Sequence, residues 1–352
     1  MGAVLVVNAG STSLKLRLVS EDEHVESVES FEAARASDVD AIGHRVVHGG
    51  PRFVTPTLVD QEVRVSIEEL EAIAPLHNAP ALAGIDAAAA VFPGLTQVAV
   101  FDTAFHATIP AEAATYALPQ IWRDEWGIRR YGFHGLSVQW CAERAPDLLE
   151  RPQVALRLVV CHLGGGCSIT AVRGGRSIDT TMGFSPLEGV PMTTRSGSVD
   201  PGALLHVQRQ HAVSFEELER VLNEESGLRG LSGLSGDIRE LEAAAREDER
   251  ARLALAVYAH RIAGAVAAMA TPLEGLDVLV FTAGVGEHSP GVRAAVCARL
   301  AFLGVELDAR LNERSAPDRD IASSESAVRV LVVEAREELV VARAVRALLR
   351  PP

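Results

Sequence analysis

Four charged or titratable side chains stand where apolar or glycine-bounded segments end. They are Arg45 in "IGHRVVHGG", Asp102 in "VFDTAFH", His134 in "YGFHG" and Arg195 in "MTTRSGSVDPG". In α/β sheets, ligands bind outside the carboxyl ends of strands. Two guanidiniums, an imidazole and a carboxylate placed there suit the grip and neutralisation of a small anion. A lone Arg or His in a loop is more often solvated or a cap. Arg195 is harder to set aside, because it lies in a run of small residues with no acidic residue adjoining it.

Glycine turns accompany these residues. In "NAGSTSLK", Gly10 lets the backbone approach a ligand. Asn8, Ser11, Thr12 and Ser13 offer short polar groups there, and Lys15 offers a point charge. In "HLGGGCS", Gly164, Gly165 and Gly166 expose N–H groups as an anion nest, with His162 and Ser168 beside it. Both turns join an apolar strand to a second strand, so neither is a P-loop or a dinucleotide fingerprint. A third turn, "FTAGVGEHS", opens a helix, where phosphate is favoured and a flat base can lie close to the backbone. Taken singly, each could be an ordinary Gly/Ser turn. Two hairpins in corresponding places argue for one purpose, holding the two ends of a polyphosphate.

The elements that must position these groups alternate. Residues 3–7 and 14–19 read as paired strands, 41–50 as a short strand ending in a glycine pair, and 97–110 as a strand emptying into polar residues. Residues 66–92 read as two helical pieces broken by Pro75 and Pro80, and a helix opens after Gly135. The acidic stretch 21–40 carries few order signals. "PDLLERPQ", 146–153, is the candidate boundary. The second half repeats the plan: a hairpin over 156–173, a Gly/Thr-rich run over 179–202, and helices near 203–223, 237–246 and 249–271. A strand, glycine turn and helix follow over 277–300, then a last strand and helix over 328–349. That pattern predicts α/β domains with mixed sheets, duplicated within one chain.

Composition limits the ligand class. The 352 residues carry a net charge of −14, so no broad basic face for nucleic acid or anionic membrane is expected. Any positive charge that meets an anionic ligand must be local. The 33 basic residues include one lysine, Lys15. A bias toward arginine codons explains the ratio but not the lysine's place beside the first glycine turn. Cys141, Cys161, Cys167 and Cys297 form no C-x-x-C pair, which predicts reduced thiols in a cytosolic protein rather than zinc or disulfides. The first strand begins almost at once, so no signal peptide is expected. "LALAVYAHRIAGAVAAMA", 253–270, carries His260 and Arg261 and reads as a buried core helix rather than a membrane span.

Taken together, the motifs resemble the acetate kinase family, which belongs with the sugar kinases and actin. "VLVVNAGSTSLK", "IGHRVVHGG", "APLHNAP", "VFDTAFHATIP", "RRYGFHGLS", "CHLGGG", "SIDTTMGFSPLEGVPM", "TRSGSVDPG", "SGLRGLSGLSGDIREL", "FTAGVGEHSPGVR" and "EELVVARAV" fall in family order. The resemblance implies an α/β fold of two duplicated ribonuclease-H-like, actin-like ATPase domains. Their mixed sheets are flanked by helices, and the active site lies in the interdomain cleft. The expected domains are 1–148, with the C-terminal helix 338–352 packing back on it, and 149–337. Several tens of family residues are missing between the first hairpin and Arg45, where residues 20–40 stand, so the first domain should be trimmed there.

The resemblance also implies the reaction and the residues. A phosphoryl group passes directly between ATP and acetate, giving acetyl phosphate and ADP. Propionate or another short carboxylate is the alternative acceptor, and a non-catalytic nucleotide-binding relative is the alternative of another class. Arg45, Asp102, His134 and Arg195 carry catalysis, with Arg45 also on the substrate. Val47, Leu76, Phe133 and Pro186 form the acyl pocket. Lys15, His162, Gly164, Gly165, Gly166, Asp237, Ile238, Arg239, Gly284, Val285, Gly286, Glu287 and His288 bind nucleotide. Asn8 and Glu337, supported by Glu338, hold Mg²⁺, with Mn²⁺ as the alternative ion. The protein is expected to be a cytoplasmic homodimer. This chain departs from the family pattern at Gly165 (usually Asn), His288 (usually Asn), Thr193 (usually Gly) and Pro51 (commonly Glu).

Overall fold

The computed structural model describes residues 2–10, 14–70, 75–314 and 316–350, with the backbone alone at 75–77. Ser11, Thr12 and Ser13 of the first turn, and the side chain of Leu76, lie outside the described residues.

The first sheet contains strands β1 (Ala3–Ala9), β2 (Leu14–Val19), β3 (Val25–Val28), β4 (Val39–Val46), β5 (Thr57–Leu58) and β6 (Gln97–Phe101). Their order is β3-β2-β1-β4-β6-β5. β1 pairs antiparallel with β2 and parallel with β4, which pairs parallel with β6. The second sheet contains β7 (Arg157–Leu163), β8 (Cys167–Arg173), β9 (Arg176–Thr180), β10 (Val278–Thr282), β11 (Arg319–Asp320) and β12 (Arg329–Val332), in the order β11-β12-β10-β7-β8-β9. Both sheets follow one plan: an antiparallel hairpin, a third antiparallel strand, two parallel strands and a short antiparallel edge. The duplication expected from the repeated hairpins is therefore present strand for strand.

The chain divides into two compact units, Met1–Ala107 with Phe133–Trp140 and Arg336–Pro352, and Thr108–Gly132 with Cys141–Ala335. In the first, Leu5, Val7, Leu16 and Ile42 form a core with Phe31, Ala34 and Ala88. A second cluster contains Val46, Ile67, Ile85 and Phe101, with Phe53 stacked on Phe101 at 4.9 Å. The helix Glu337–Leu349 packs on β4 and β1 and buries Leu339, Val340, Val341 and Val345. In the second unit, β10 is buried along its whole length, as a central parallel strand must be. The helix Glu249–Leu273 is long and apolar enough to cross a membrane. Its buried side chains, among them Ala251, Ala254, Tyr258, Ile262, Val266 and Met269, recur at helical spacing, and the helix packs on β8 and on neighbouring helices.

Three local expectations need correction. Residues 21–40 are ordered: they contain β3 and a helical turn, Phe31–Ala34, which Ser30 caps. Phe31 and Ala34 are buried, and these few apolar residues suffice because the neighbouring sheet supplies the rest of the core. Pro80 does not break a helix, because it lies inside Pro75–Val91. Near a helix start, a proline forfeits one hydrogen bond and can be tolerated. "FTAGVGEHS" does open a helix, but with no separate turn before it: its glycines lie within the short helix Ala283–His288.

Of the four histidines buried among the described residues, His44 and His106 are the two with strongly lowered pKa values. His44 Nε2 lies 2.6 Å from Gln97 Oε1, and His106 Nε2 lies 2.9 Å from the Phe133 carbonyl oxygen. Burial pushes both down to about 4, against a small opposing effect of those hydrogen bonds. The folded values lie below the unfolded value near 6.5, so the unfolded chain binds protons first as pH falls. Their stabilising contribution is whole above pH 6.5 and is lost between pH 6.5 and 4, at roughly 3 kcal/mol for each. The urea unfolding free energy should therefore drop steeply across that window, with a shallower drop in His44→Gln. An equal slope in the variant would show that His44 does not stay neutral in the fold.

Candidate active site

Three neighbouring parallel strands each end in a polar side chain. Asn8 of β1 is the register partner of Arg45 in β4, and Asp102 follows the last residue of β6. The Arg45 guanidinium forks onto Asp102, with Nε 3.1 Å from Oδ1 and Nη2 2.6 Å from Oδ2. Its Nη1 donates to Asn8 Oδ1 at 3.2 Å, and its Nε lies 3.4 Å from Glu337 Oε2. Burial opposes the Arg45 charge, but Asp102 and Glu337 outweigh it and hold its pKa above the ordinary arginine value. Burial, with the charge of Glu337, pushes Glu338 up. So Asn8, Arg45, Asp102 and Glu337, quoted from four separate motifs, form one set.

His134 comes to the same unit by a tight corner. Its φ is +59°, uncommon for a residue with a side chain, and it immediately precedes the helix Gly135–Leu149. A methyl group at Gly135 would lie 1.9 Å from the Asp102 carbonyl oxygen. Only glycine lets this corner close on the backbone of Asp102. Phe133 is buried edge-on against the His48 ring at 5.5 Å, and Val47 is half-buried. Asn78, not singled out from the sequence, accepts from the His48 N–H at 3.2 Å and donates to its carbonyl at 3.1 Å. That buried amide fixes the segment that follows Arg45. Its signal was available in "APLHNAP". Lys15 is exposed on β2, opposite Asn8 in register.

The second unit holds a cavity of about 630 Å³, lined by Gly164, Gly165, Asp237, Ile238, Arg239, Gly284, Val285 and His288 among others. Its size is that of an ordinary small-molecule site. Thr193, Gly236, Glu242 and Ser289 also line it and were not singled out as site residues. Thr193 donates from its N–H and its hydroxyl to the Gly165 carbonyl oxygen, at 3.5 and 3.0 Å, and so ties the glycine turn to the arginine run. Asp237 caps the helix Ile238–Ala244 and pairs with Arg239, whose hydrogen bonds lower its pKa to about 2.

Gly166, Gly286 and Glu287 do not line this cavity. Gly286 packs against Phe281, and Glu287 accepts from the Ala335 N–H at 3.0 Å. His162 is nearly buried at the end of β7, beside Thr282 of β10. Arg195 donates from Nη1 to the half-buried Pro186's carbonyl oxygen at 3.3 Å, and burial pulls its pKa down.

Among the described residues, no group of three or more His, Cys, Asp or Glu side chains could hold a metal ion. The side-chain groups around Arg45 are all oxygen donors: the Asn8 amide and the Asp102 and Glu337 carboxylates. Such a set fits a magnesium-type cation, which takes one or two protein oxygens and fills its shell with water and substrate phosphates.

A model of the acetokinase family matches residues 25–343. An acetate kinase from a Synechococcus strain is 52% identical over 317 residues, which cover 90% of this chain and 78% of that protein. The crystal structure of Porphyromonas gingivalis acetate kinase superposes with a TM-score of 0.89 at 35% identity, covering 99% of this chain and 100% of that one. A propionate kinase from Francisella tularensis superposes at 0.88 with 36% identity, covering 98% and 99%.

Proposed function

The chain belongs to the acetokinase family and transfers a phosphoryl group between ATP and acetate, and we propose that the transfer is direct and in line, on groups that the fold presets. The observation that carries this reading is the joined set of Asn8, Arg45 and Asp102 at three adjacent strand ends with Glu337 at the start of the final helix. The acetate carboxylate is already ionised at neutral pH, so it needs no general base. Phosphoryl transfer then requires alignment and cancellation of charge on the equatorial oxygens.

Asp102 holds the Arg45 fork in one orientation, and Arg45 grips the carboxylate. His134 and Arg195 face the transferring group, where planar guanidinium suits two oxygens at once. The glycine turn Gly164–Gly166 with His162, and the lining of Asp237, Ile238, Arg239, Gly284, Val285 and His288, receive the nucleotide. Lys15 supports its phosphates. Gly286 and Glu287 shape the wall from behind. Asn8 and Glu337 would hold Mg²⁺, which supplies positive charge to the phosphates. Burial raises the pKa of Cys161, raises Cys167 to about 11 and Cys297 to about 12, so these thiols stay protonated at neutral pH and supply no thiolate for a covalent intermediate.

The test of the reaction is turnover with ATP, Mg²⁺ and acetate, with acetyl phosphate trapped as the hydroxamate. Nucleotide binding without product would favour a non-catalytic relative. We assign the enzyme to the cytoplasm, which suits four buried free thiols. We also assign it a homodimeric state, supported by exposed Leu253 on the long helix and Leu231 on the helix Gly227–Ser232 packed against it.

The likeness to a propionate kinase favours a second acceptor. Val47, Leu76, Phe133 and Pro186 would form a pocket in which each methylene is worth about 1–3 kcal/mol of discrimination. Val47→Ala should therefore raise the propionate-to-acetate ratio of kcat/KM. An unchanged ratio would remove Val47 from the pocket.

A further inference from the structure

We propose that Glu188 and Arg130 are positioning residues for the reaction: they set the irregular segment after β9 so that the Pro186 carbonyl holds the Arg195 guanidinium. This inference rests on the reading of Arg195 given above.

Between Thr180 and the helix Pro201–His211 the chain forms no strand or helix. Structureless runs of this length are uncommon in compact domains and need another source of order. Here the order comes from half-buried polar groups. Arg130 donates from Nη1 to the carbonyl oxygens of Thr180, Thr181 and Met182, at 2.8, 3.1 and 3.2 Å. Its Nη2 donates to Glu188 Oε1 at 3.1 Å. The other carboxylate oxygen accepts from the Tyr116 hydroxyl, which in turn accepts from the Phe184 N–H at 2.9 Å. Burial and Glu188 both raise the Tyr116 pKa, so the phenol keeps the proton it donates.

Gly183 closes the arrangement. Its carbonyl accepts from the Tyr131 N–H at 3.0 Å, and a side chain there would overlap the Glu188 carboxylate and the Tyr116 hydroxyl. The segment is thus pinned on both sides of Pro186, at Phe184 and at Glu188. Pro186 has no side-chain polar group to offer, so its carbonyl orientation follows from those two anchors. Arg195 donates one of its hydrogen bonds to that carbonyl. Glu188→Gln leaves one oxygen for two donors and removes the nearer of the two carboxylates beside Arg130, the other being Asp179 at 3.9 Å.

The test is a double-mutant cycle read in kcat, with ATP affinity measured by calorimetry. Glu188→Gln should lower kcat roughly 10- to 100-fold, as small misplacements of a catalytic group do. It should leave ATP affinity unchanged within about two-fold. In an Arg195→Ala background it should cost no more than about two-fold further. A general structural defect would instead multiply with the Arg195 loss. If Glu188→Gln lowers kcat by the same factor in both backgrounds, or does not lower it at all, the proposal is overturned. Should that variant fail to fold, Tyr116→Phe removes one hydrogen bond and enters the same cycle, with the same outcomes deciding. Normal turnover in Arg195→Ala alone would overturn both this inference and the reading of Arg195, whereas loss there with no effect of Glu188→Gln would overturn only the inference.

Discussion

Arg195→Ala should lower turnover in both directions by roughly 10³–10⁵, the range in which transition-state arginines act in phosphoryl transfer. The reason lies in its surroundings. Arg195 sits among Thr194, Ser196 and Gly197, none of which can neutralise charge on a transferring phosphoryl. Its Nη1 donates to the Pro186 carbonyl oxygen at 3.3 Å, which orients the guanidinium. Nucleotide affinity should change little, because the cavity between Gly164 and His288 does not include it. Arg195→Lys should recover only part of the loss, since a point charge cannot span two oxygens. Steady-state rates with calorimetric ADP and ATP binding check this. A loss that lies wholly in nucleotide binding would show that Arg195 does not serve the chemical step.

Gly135→Ala should be the most damaging single methyl group in the first unit. The added carbon would lie 1.9 Å from the Asp102 carbonyl oxygen and 3.0 Å from Phe105 Cβ. Backbone must move, and it carries His134 on one side and Asp102 on the other. Displacement of catalytic groups by about 1 Å costs on the order of 10² in rate. Overpacking of this kind destabilises by about 1–3 kcal/mol. Activity should therefore fall much further than the folded fraction at assay temperature. Turnover near normal, with a preserved melting temperature, would mean that the corner is not closed on Asp102 as described.

The strand ends were legible because their signals are local. An apolar run that stops at Arg45 or Asp102 marks both a buried parallel strand and the residue at its mouth. The repeated hairpins were legible as a duplication, and the sheets bear that out down to the short antiparallel edges β5 and β11. What was not legible depended on partners far along the chain. Residues 21–40 looked unstructured because Phe31 and Ala34 need Leu5, Leu16 and Ile42 to form a core. Thr193 stands out in the sequence only as a departure from the family pattern, and its link to Gly165 joins positions with no pattern between them. Asn78 and Glu188 were read past as polar residues in quoted motifs, yet each satisfies donors in a segment remote in sequence. Of the site set, Arg45 with Asp102, Asn8 and Glu337 needed the register of three strands and the final helix to be seen as one group.

The most direct test of the account is the stereochemical course at phosphorus. ATP made chiral at the γ-phosphoryl with oxygen isotopes would be used with acetate, and the configuration of the acetyl phosphate would be determined. Direct in-line attack of the carboxylate, on groups held by Arg45, His134 and Arg195, predicts inversion. Retention would require a phosphorylated side chain between the two substrates and would contradict the account.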